Sequence, residues 1–224
     1  MTAKRKQPKT ASLEYETLLH RAGLRFVVGI DEAGRGAWAG PVYAGAVCLP
    51  PPTPQLAEDL AGVRDSKQMT PRQRARLVIT IRELAVCWGV GYAAHDEIDA
   101  LGINHATRLA MERALHMMTT QHADFEPEFL LLDSLPWNLP HERYQSIIRG
   151  DQRSLSIAAA SVLAKVTRDE TLVEMDAEFP GYGFAIHKGY GTAAHPAALK
   201  KLGVSPIHRR GYAPIRRLLD DQQP

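Results

Sequence analysis

The chain has 224 residues, of which 45% are hydrophobic and 23% charged, and this composition is typical of a globular domain with a sizeable core. Only two cysteines, Cys48 and Cys87, are present, so a disulfide framework is excluded and we expect a reduced, cytoplasmic protein. The longest uncharged run, residues 36–57, contains five prolines and therefore excludes a membrane-spanning helix.

The charges are unevenly distributed, although the formal net charge is only +2. Four basic residues and no acidic residue lie among the first ten, and we expect residues 1–20 to form a flexible basic segment. Residues 187–219 contain seven lysines or arginines and no aspartate or glutamate. Such a stretch favours a polyanionic partner such as nucleic acid, and a solvated helical face is the alternative interpretation.

Strand and helix signals alternate along the chain. The strand signals are at residues 25–30, 42–49, 86–93, 128–133 and 144–148, and the helix signals at 70–84, 104–118, 156–175, 193–202 and 214–220. Thr70 and Gln73 have the spacing of a capping box, and Pro71 occupies the first helical position. The alternation predicts an α/β domain with a mixed sheet flanked by helices, in which the first two strands are antiparallel. We assign residues 21–180 to this main domain, and 181–224 to a small, basic, helical C-terminal appendage packed on it.

Four carboxylates lie where a strand signal ends or a helix signal is about to begin: Asp31, Glu32, Asp133 and Asp151. A rigid sheet can hold reactive groups at such positions. Several carboxylates in one small site need a cation to stay ionised, and hard divalent ions take oxygen ligands. Asp31 and Glu32 are adjacent, so the first strand must end or twist there for both to reach one site. Taken singly, each aspartate is more simply a turn residue or a helix cap.

The stretch 29–36, GIDEAGRG, resembles the signature of the ribonuclease HII family. Further segments match the same family in the same order: Asp65-Ser66-Lys67, residues 102–106, the strand that ends at Asp133, Gly150-Asp151, and residues 156–169 and 187–190. Together they extend over residues 25–212. Each motif is only moderately specific, but the ordered set is highly specific.

The resemblance implies a ribonuclease H-like fold and an endonuclease that hydrolyses the RNA strand of RNA–DNA hybrids. It also implies nicking of duplex DNA on the 5′ side of embedded ribonucleotides, with 3′-hydroxyl and 5′-phosphate ends. Asp31, Glu32, Asp133 and Asp151 match the family's four catalytic, metal-binding carboxylates, which implies two-metal-ion hydrolysis with Mg²⁺ or Mn²⁺. The implied partners are RNA–DNA hybrids and ribonucleotide-containing duplex DNA, and we expect a monomer.

Four further residues match the parts of the family that sense the sugar. Gly34, Arg35 and Gly36 match the loop that contacts the ribose 2′-hydroxyl, and Tyr190 matches the tyrosine that packs on the next, deoxy, sugar. The physical argument agrees, because only the 2′-hydroxyl distinguishes RNA from DNA at one nucleotide and glycines let backbone groups approach a sugar closely.

Lys67, Lys165 and Arg168 are candidate phosphate contacts, and surface solubility is an equally good interpretation of all three. Two positions depart from the family pattern. Ala37 stands where many members have proline, and Ser134 stands where glycine often follows the third carboxylate, which puts the backbone geometry after Asp133 in question.

Two other functional classes fit parts of the pattern. A metal-dependent DNA exonuclease or integrase would share the carboxylates, but it has no need of a loop that senses a 2′-hydroxyl. A catalytically inactive nucleic-acid binder is disfavoured because all four carboxylates are present. A dinucleotide site at Gly34-x-Gly36 has the wrong spacing, and three histidines, His187, His195 and His208, have no spacing typical of a zinc site.

Overall fold

A computed structural model describes residues 10–122, 124–134 and 143–221. The helices are α1 (Glu14–Arg21), α2 (Pro54–Asp59), α3 (Pro71–Leu84), α4 (His95–Leu101), α5 (Ile103–Gln121), α6 (Leu155–Glu178), α7 (Phe184–His187), α8 (Ala194–Leu202) and α9 (Ala213–Asp220). The strands are β1 (Val27–Ala33), β2 (Val42–Cys48), β3 (Cys87–Ala93), β4 (Phe129–Asp133) and β5 (Tyr144–Ile147). Within the described ranges, no helix is both long enough and apolar enough to cross a membrane.

Every predicted strand and helix is present, and their ends differ from the prediction by three residues at most. Helix α3 begins as predicted, with Thr70 and Gln73 in a capping box and Pro71 in the first turn. Helices α1, α2, α4 and α7 were not predicted, and each is short, with eight residues or fewer.

The five strands form one mixed sheet in the order β3-β2-β1-β4-β5. The first two strands are antiparallel, as predicted, and β4 runs parallel to β1 with Ile30 opposite Leu132. Because parallel strands end at the same edge of a sheet, the next residue of each strand, Asp31 in β1 and Asp133 in β4, lies at a shared edge. The topology therefore brings together carboxylates that are 102 residues apart in the chain.

Helix α5 covers one face of the sheet and α6, with α3, covers the other. Helix α6 lies unusually close to the sheet. A Cβ atom at Gly29 would lie 2.2 Å from the Ser156 carbonyl carbon, and one at Gly45 would lie 2.4 Å from the Ala160 oxygen. The fully buried run Ala158–Ala160 supplies the small side chains on the helix side. Glycine in the strands and alanine in the helix together permit this contact.

Residues 10–20 pack on the domain and include most of helix α1, so the prediction of a flexible segment over residues 1–20 is wrong for residues 10–20. Residues 1–9 lie outside the described residues. Helix α1 is held by Glu16, a buried carboxylate that accepts hydrogen bonds from the Ser154 hydroxyl (2.6 Å) and the Ser156 amide (2.9 Å). Its negative charge lies at the N-terminus of α6, where the helix dipole stabilises an anion. This contact could not be predicted from the sequence, because Glu16 and Ser154 are 138 residues apart.

The C-terminal helices α7–α9 pack around a small apolar cluster that includes Leu172 of α6, Phe184, Leu199 and Ile215. The predicted helical appendage is confirmed in this form. Two buried histidines also belong to this appendage, and His195 Nε2 lies 2.9 Å from His208 Nε2. Burial lowers the pKa of both His195 and His208 to about 4, so both rings are neutral and one can donate to the other. These histidines pack in the appendage, and their mutual hydrogen bond offsets the cost of burying them.

The close contact between β2 and α6 makes Gly45 intolerant of a side chain. We expect Gly45→Ala to lower the free energy of unfolding by about 2–3 kcal/mol, because the added methyl group overpacks the interface. The measurement is urea denaturation followed by circular dichroism. Gly211→Ala is the matched control, since its Cβ would meet its nearest atom at an ordinary 3.4 Å. Equal stability of the two variants would contradict the packing argument.

Candidate metal and nucleic-acid site

Three aspartates form the centre of the site. Asp31 of β1, Asp133 of β4 and Asp151 of the 3-10 turn Gly150–Gln152 each place a carboxylate oxygen within 4.8 Å of the others. Asp31 and Asp151 are buried, and Asp133 is half-buried. Three of the four predicted carboxylates therefore converge, from segments that the sheet topology brings to one edge.

The fourth carboxylate, Glu32, is not part of this group in the described structure. Strand β1 does not end at Asp31, because it continues to Ala33, and adjacent residues of a regular strand face opposite sides. Glu32 is still electrostatically close. Burial raises its pKa, the Arg35 charge opposes that shift, and the charge of Asp133 adds to it. One oxygen of Glu32, Oε2, is buried without a hydrogen-bond partner.

The aspartates repel one another strongly. Burial raises the pKa of Asp31 well above its ordinary value, and the charges of Glu32 and Asp133 raise it further. Burial and the charge of Asp133 raise the pKa of Asp151 to about 7. The ion-free site therefore holds protons near neutral pH that a cation would displace.

Hydrogen bonds from the backbone and from α6 fix the orientation of the carboxylates. Gly150 N donates to Asp133 Oδ1 at 2.7 Å. Ser161 of α6 is hydrogen-bonded to Asp31, and its hydroxyl lies 2.8 Å from that of Ser66. Sequence reasoning gave Ser66 and Ser161 no role, since their contact depends on how α6 packs against the loop before α3.

Ser134, which departs from the family pattern, has a backbone conformation that is typical of glycine. Its φ of 35° lies in the left-handed region that favours glycine. The serine hydroxyl accepts a hydrogen bond from Arg149 N at 3.1 Å, and Ser134 N donates to Ile147 O at 3.2 Å. The turn after Asp133 is thus maintained by a side chain in place of a glycine.

A fifth carboxylate and a lysine border the cluster. Asp65 is buried, accepts a hydrogen bond from Lys67 N at 2.9 Å, and helps to raise the pKa of Asp151. Desolvation lowers the pKa of the Lys67 ammonium, but the charges of Asp31, Asp65 and Asp151 together raise it above its ordinary value. Lys67 therefore lies where it can contact an anion bound at the aspartates. The Asp-Ser-Lys motif was the sequence signal for Asp65, which was given no role.

The donor set fits a hard divalent cation. It contains only oxygen ligands, it carries excess negative charge that burial makes costly, and Glu32 Oε2 is a buried acceptor without a partner. Asp31, Asp133 and Asp151 are the residues that could hold such an ion.

The loop 34–36 lies beside the carboxylates. The Arg35 guanidinium is 3.8 Å from Glu32 Oε1 and donates to Asn104 Oδ1 at 2.8 Å. Gly34 has a φ of 98° and is buried, whereas Gly36 is exposed with open space where a side chain would lie. A ligand can therefore approach the backbone at Gly36.

Tyr190 is half-buried against α6, with Lys165 Nζ 5.6 Å and Arg168 Cζ 5.3 Å from its ring centroid. Lys165 follows Ser161 by about one helical turn and Arg168 by about two, so Tyr190 packs on the part of α6 that comes directly after the residue that contacts Asp31. The carboxylates, the loop 34–36 and Tyr190 thus border one region of the surface.

The structure changes the interpretation of two candidate phosphate contacts. Arg168 has no exposed surface and donates to the backbone oxygens of Pro41, Lys188 and Ala39, so the prediction that it contacts phosphate is wrong. Lys165 is half-buried and forms an ion pair of 2.6 Å with Asp169. Charge spacing on a helix cannot distinguish a cation bound internally from one that faces solvent.

Comparisons with known proteins agree with this geometry. The family model for ribonuclease HII matches residues 28–214. Ribonuclease HII of Synechococcus sp. (strain JA-3-3Ab) is 48% identical over 207 residues, which cover 92% of this chain and 90% of that protein. Ribonuclease HII of Geobacter sulfurreducens is 46% identical over 218 residues, which cover 97% of this chain and 95% of that protein.

The crystal structure of ribonuclease H2 from Pyrococcus horikoshii OT3 superposes with a TM-score of 0.70 at 25% identity, covering 87% of this chain and 97% of that one. The predicted ribonuclease H-like fold is confirmed. With a family match over residues 28–214 and near-full-length relatives at 46–48% identity, the chain belongs to the ribonuclease HII family and is an endoribonuclease that acts on RNA–DNA hybrids.

Proposed function

We propose that this enzyme, besides cutting the RNA strand of hybrids, nicks duplex DNA on the 5′ side of an embedded ribonucleotide. One observation carries the proposal: three clustered aspartates that could hold a cation border a surface loop with accessible backbone at Gly36 and a half-buried tyrosine, Tyr190. Cutting and recognition of a sugar can therefore take place within one site.

Asp31, Asp133 and Asp151, with Glu32 beside them, are the residues that would hold two Mg²⁺ or Mn²⁺ ions. When bound, such ions supply the positive charge that activates a water molecule and stabilises the leaving oxygen. The aspartates contribute fixed geometry, because their hydrogen bonds to Gly150 N and Ser161 restrict them before substrate arrives. Lys67 adds a cation beside them for a phosphate oxygen.

The bond changes follow from the products. The oxygen of a water molecule joins the phosphorus, the bond between phosphorus and the 3′ oxygen breaks, and that oxygen takes up a proton. The ends are a 3′-hydroxyl on the upstream nucleotide and a 5′-phosphate on the ribonucleotide. Positioning and charge stabilisation account for most of the catalysis in such a reaction.

Recognition of the ribonucleotide is assigned to the loop 34–36 and to Tyr190. The backbone at Gly36 can approach the 2′-hydroxyl, and Arg35 has donors for nearby sugar or phosphate oxygens. The Tyr190 ring, set against two cations, offers a flat surface for the deoxyribose on the 3′ side. A 2′-hydroxyl at that second sugar would collide with the ring.

The duplex is held by exposed positive charge. Of the seven basic residues between positions 187 and 219, five are exposed: Lys200, Lys201, Arg210, Arg216 and Arg217. They extend over α8, α9 and the turn between them, and phosphate contacts from such residues give affinity that falls with salt. Arg209 is buried and takes no part in this surface.

The experiment that tests the proposal uses a labelled DNA duplex with a single ribonucleotide, beside an all-DNA duplex and an RNA–DNA hybrid, with and without Mg²⁺ or Mn²⁺. We expect a metal-dependent nick on the 5′ side of the ribonucleotide and no cut in the all-DNA duplex. Cleavage of the hybrid alone would overturn the proposal for embedded ribonucleotides. Cleavage of the all-DNA duplex would mean that the loop 34–36 does not act as a 2′-hydroxyl sensor.

Asp133→Asn keeps the shape of the side chain and removes its charge. We expect turnover to fall by about three orders of magnitude or more, because a misplaced or missing cation removes most of the charge stabilisation. Duplex binding, measured by fluorescence anisotropy in Ca²⁺, and the melting temperature should stay near their wild-type values. Loss of binding together with unfolding would instead make Asp133 a structural residue.

Cation affinity should depend on pH. Asp151 has a pKa of about 7 in the ion-free site, raised from its ordinary value, and protons there compete with the cation. Mn²⁺ affinity should therefore rise with pH between about 6 and 8, by up to about tenfold per pH unit for each proton displaced. Calorimetric titration in two buffers of different ionisation enthalpy measures the protons released. An affinity that does not change over this range would contradict the raised pKa.

A further inference from the structure

Two arginines with no exposed surface lie beneath the loop 34–41. Arg168 of α6 donates from Nε to Pro41 O (3.0 Å), from Nη1 to Lys188 O (2.9 Å) and from Nη2 to Ala39 O (3.3 Å). The single guanidinium therefore connects the loop that follows β1 with the segment immediately before Tyr190.

The second arginine, Arg209, reaches the same loop from the C-terminal appendage. Its Nε donates to Gly40 O at 2.9 Å and its Nη1 to Arg35 O at 3.0 Å. The Tyr212 hydroxyl also donates to Arg35 O. The backbone of the loop 34–41 is thus hydrogen-bonded from both sides. We call Arg168 and Arg209 the arginine clamp.

Burial of these cations carries a cost that simple packing would avoid. Within the described residues, neither guanidinium forms a salt bridge, and Arg209 Nη2 is buried without a hydrogen-bond partner. Burial lowers the pKa of Arg209 to about 10, which still leaves it charged near neutral pH. Buried charges without carboxylate partners are unfavourable, so stability alone does not explain the clamp.

The arginine clamp packs closely against the residues that are proposed to contact the sugars. A Cβ atom at Gly34 would lie 2.0 Å from Arg168 Nε, so the guanidinium is pressed against the backbone of that residue. A Cβ atom at Gly189 would lie 2.5 Å from Ala39 O, and Trp38 N donates to Gly189 O at 2.8 Å. The two segments on which sugar recognition depends are therefore in direct backbone contact.

Arg168 also contacts the tyrosine itself. Its Cζ lies 5.3 Å from the centroid of the Tyr190 ring, within the range of a cation–π interaction. A shift of this guanidinium would move the ring on one side and the loop 34–41 on the other.

We propose that Arg168 and Arg209 are positioning residues that set the distance between the loop 34–36 and Tyr190, and so determine how strictly the enzyme selects a ribonucleotide followed by a deoxyribonucleotide. This inference rests on the proposed function, since it assigns sugar recognition to those two elements. The clamp acts through them and does not touch the substrate.

Replacing an arginine of the clamp by lysine keeps the positive charge but removes the planar guanidinium. The substitution therefore tests the hydrogen-bond geometry separately from the charge. We expect Arg168→Lys to raise KM for the single-ribonucleotide duplex by about tenfold or more, with a smaller change in kcat, since displacement of a positioning group costs binding at the sensor. Mn²⁺ affinity at the aspartates, measured by calorimetry, should stay at its wild-type value.

A double-mutant cycle with Tyr190→Ala distinguishes positioning from general destabilisation. If Arg168 acts through the Tyr190 ring, the loss of kcat/KM in the double variant is smaller than the product of the two single losses, by about fivefold or more. Losses that multiply independently, or a KM unchanged in Arg168→Lys, would overturn the proposal. All rates are measured below the melting temperature of each variant.

Arg113→Lys is the matched control, because Arg113 also uses its fork on a backbone oxygen, Tyr92 O at 2.7 Å, and on Glu97, and lies away from the site on α5. We expect its kinetic constants to stay within about twofold of wild type. If Arg168→Lys does not fold, Arg209→Lys decides: a raised KM with unchanged Mn²⁺ affinity supports the clamp, and an unchanged KM overturns it.

The proposed function and the clamp proposal can be overturned independently. If the wild-type enzyme does not nick the single-ribonucleotide duplex, the proposed function fails before any variant is compared. If the wild type nicks it and the clamp variants match the wild type in KM, the proposed function stands and the clamp proposal fails.

Discussion

The close contact between α6 and the sheet is the constraint on which the rest of this molecule depends. Gly29 and Gly45 leave no room for side chains, because the backbone of α6 lies directly against them at Ser156 and Ala160. The distance between helix and sheet is therefore set by backbone atoms, which hardly deform. The positions of the side chains that α6 contributes to the site are therefore well defined. Ser161 contacts Asp31, and Arg168 contacts the loop 34–41. A sheet with larger residues at these positions would hold the same side chains too far from their partners.

Much of the fold and the centre of the site could be predicted from the sequence. Strand patterns and a capping box are local signals, and parallel pairing of β1 with β4 then brings Asp31 to Asp133. Three features could not be predicted, because each depends on packing between distant segments. A helical charge pattern does not show that Arg168 is buried. Strand β1 continues past Asp31 to Ala33, and α1 is held in place by one buried carboxylate, Glu16.

The charges of the site are arranged in two layers of opposite sign. The aspartates raise one another's pKa and gather at the surface edge of the sheet, whereas the guanidiniums of Arg168 and Arg209 lie beneath the adjacent loop without carboxylate partners in the described structure. The acidic group attracts cations, whereas the two buried guanidiniums bind backbone oxygens of the loop and leave the proposed phosphate contacts to the exposed basic residues of α8 and α9.

The order of these parts along the chain has a consequence during synthesis. The carboxylates come from residues 31, 133 and 151, and the loop that they border is fastened by Arg209, close to the C-terminus. A nascent chain leaves the ribosome N-terminus first, so it has no complete acidic group until residue 151 emerges and no fastened loop until residue 209 does. The strands of the sheet that come first in the chain therefore cannot form the cutting centre by themselves, and the loop beside it is fastened only by a residue that follows all three aspartates in the chain.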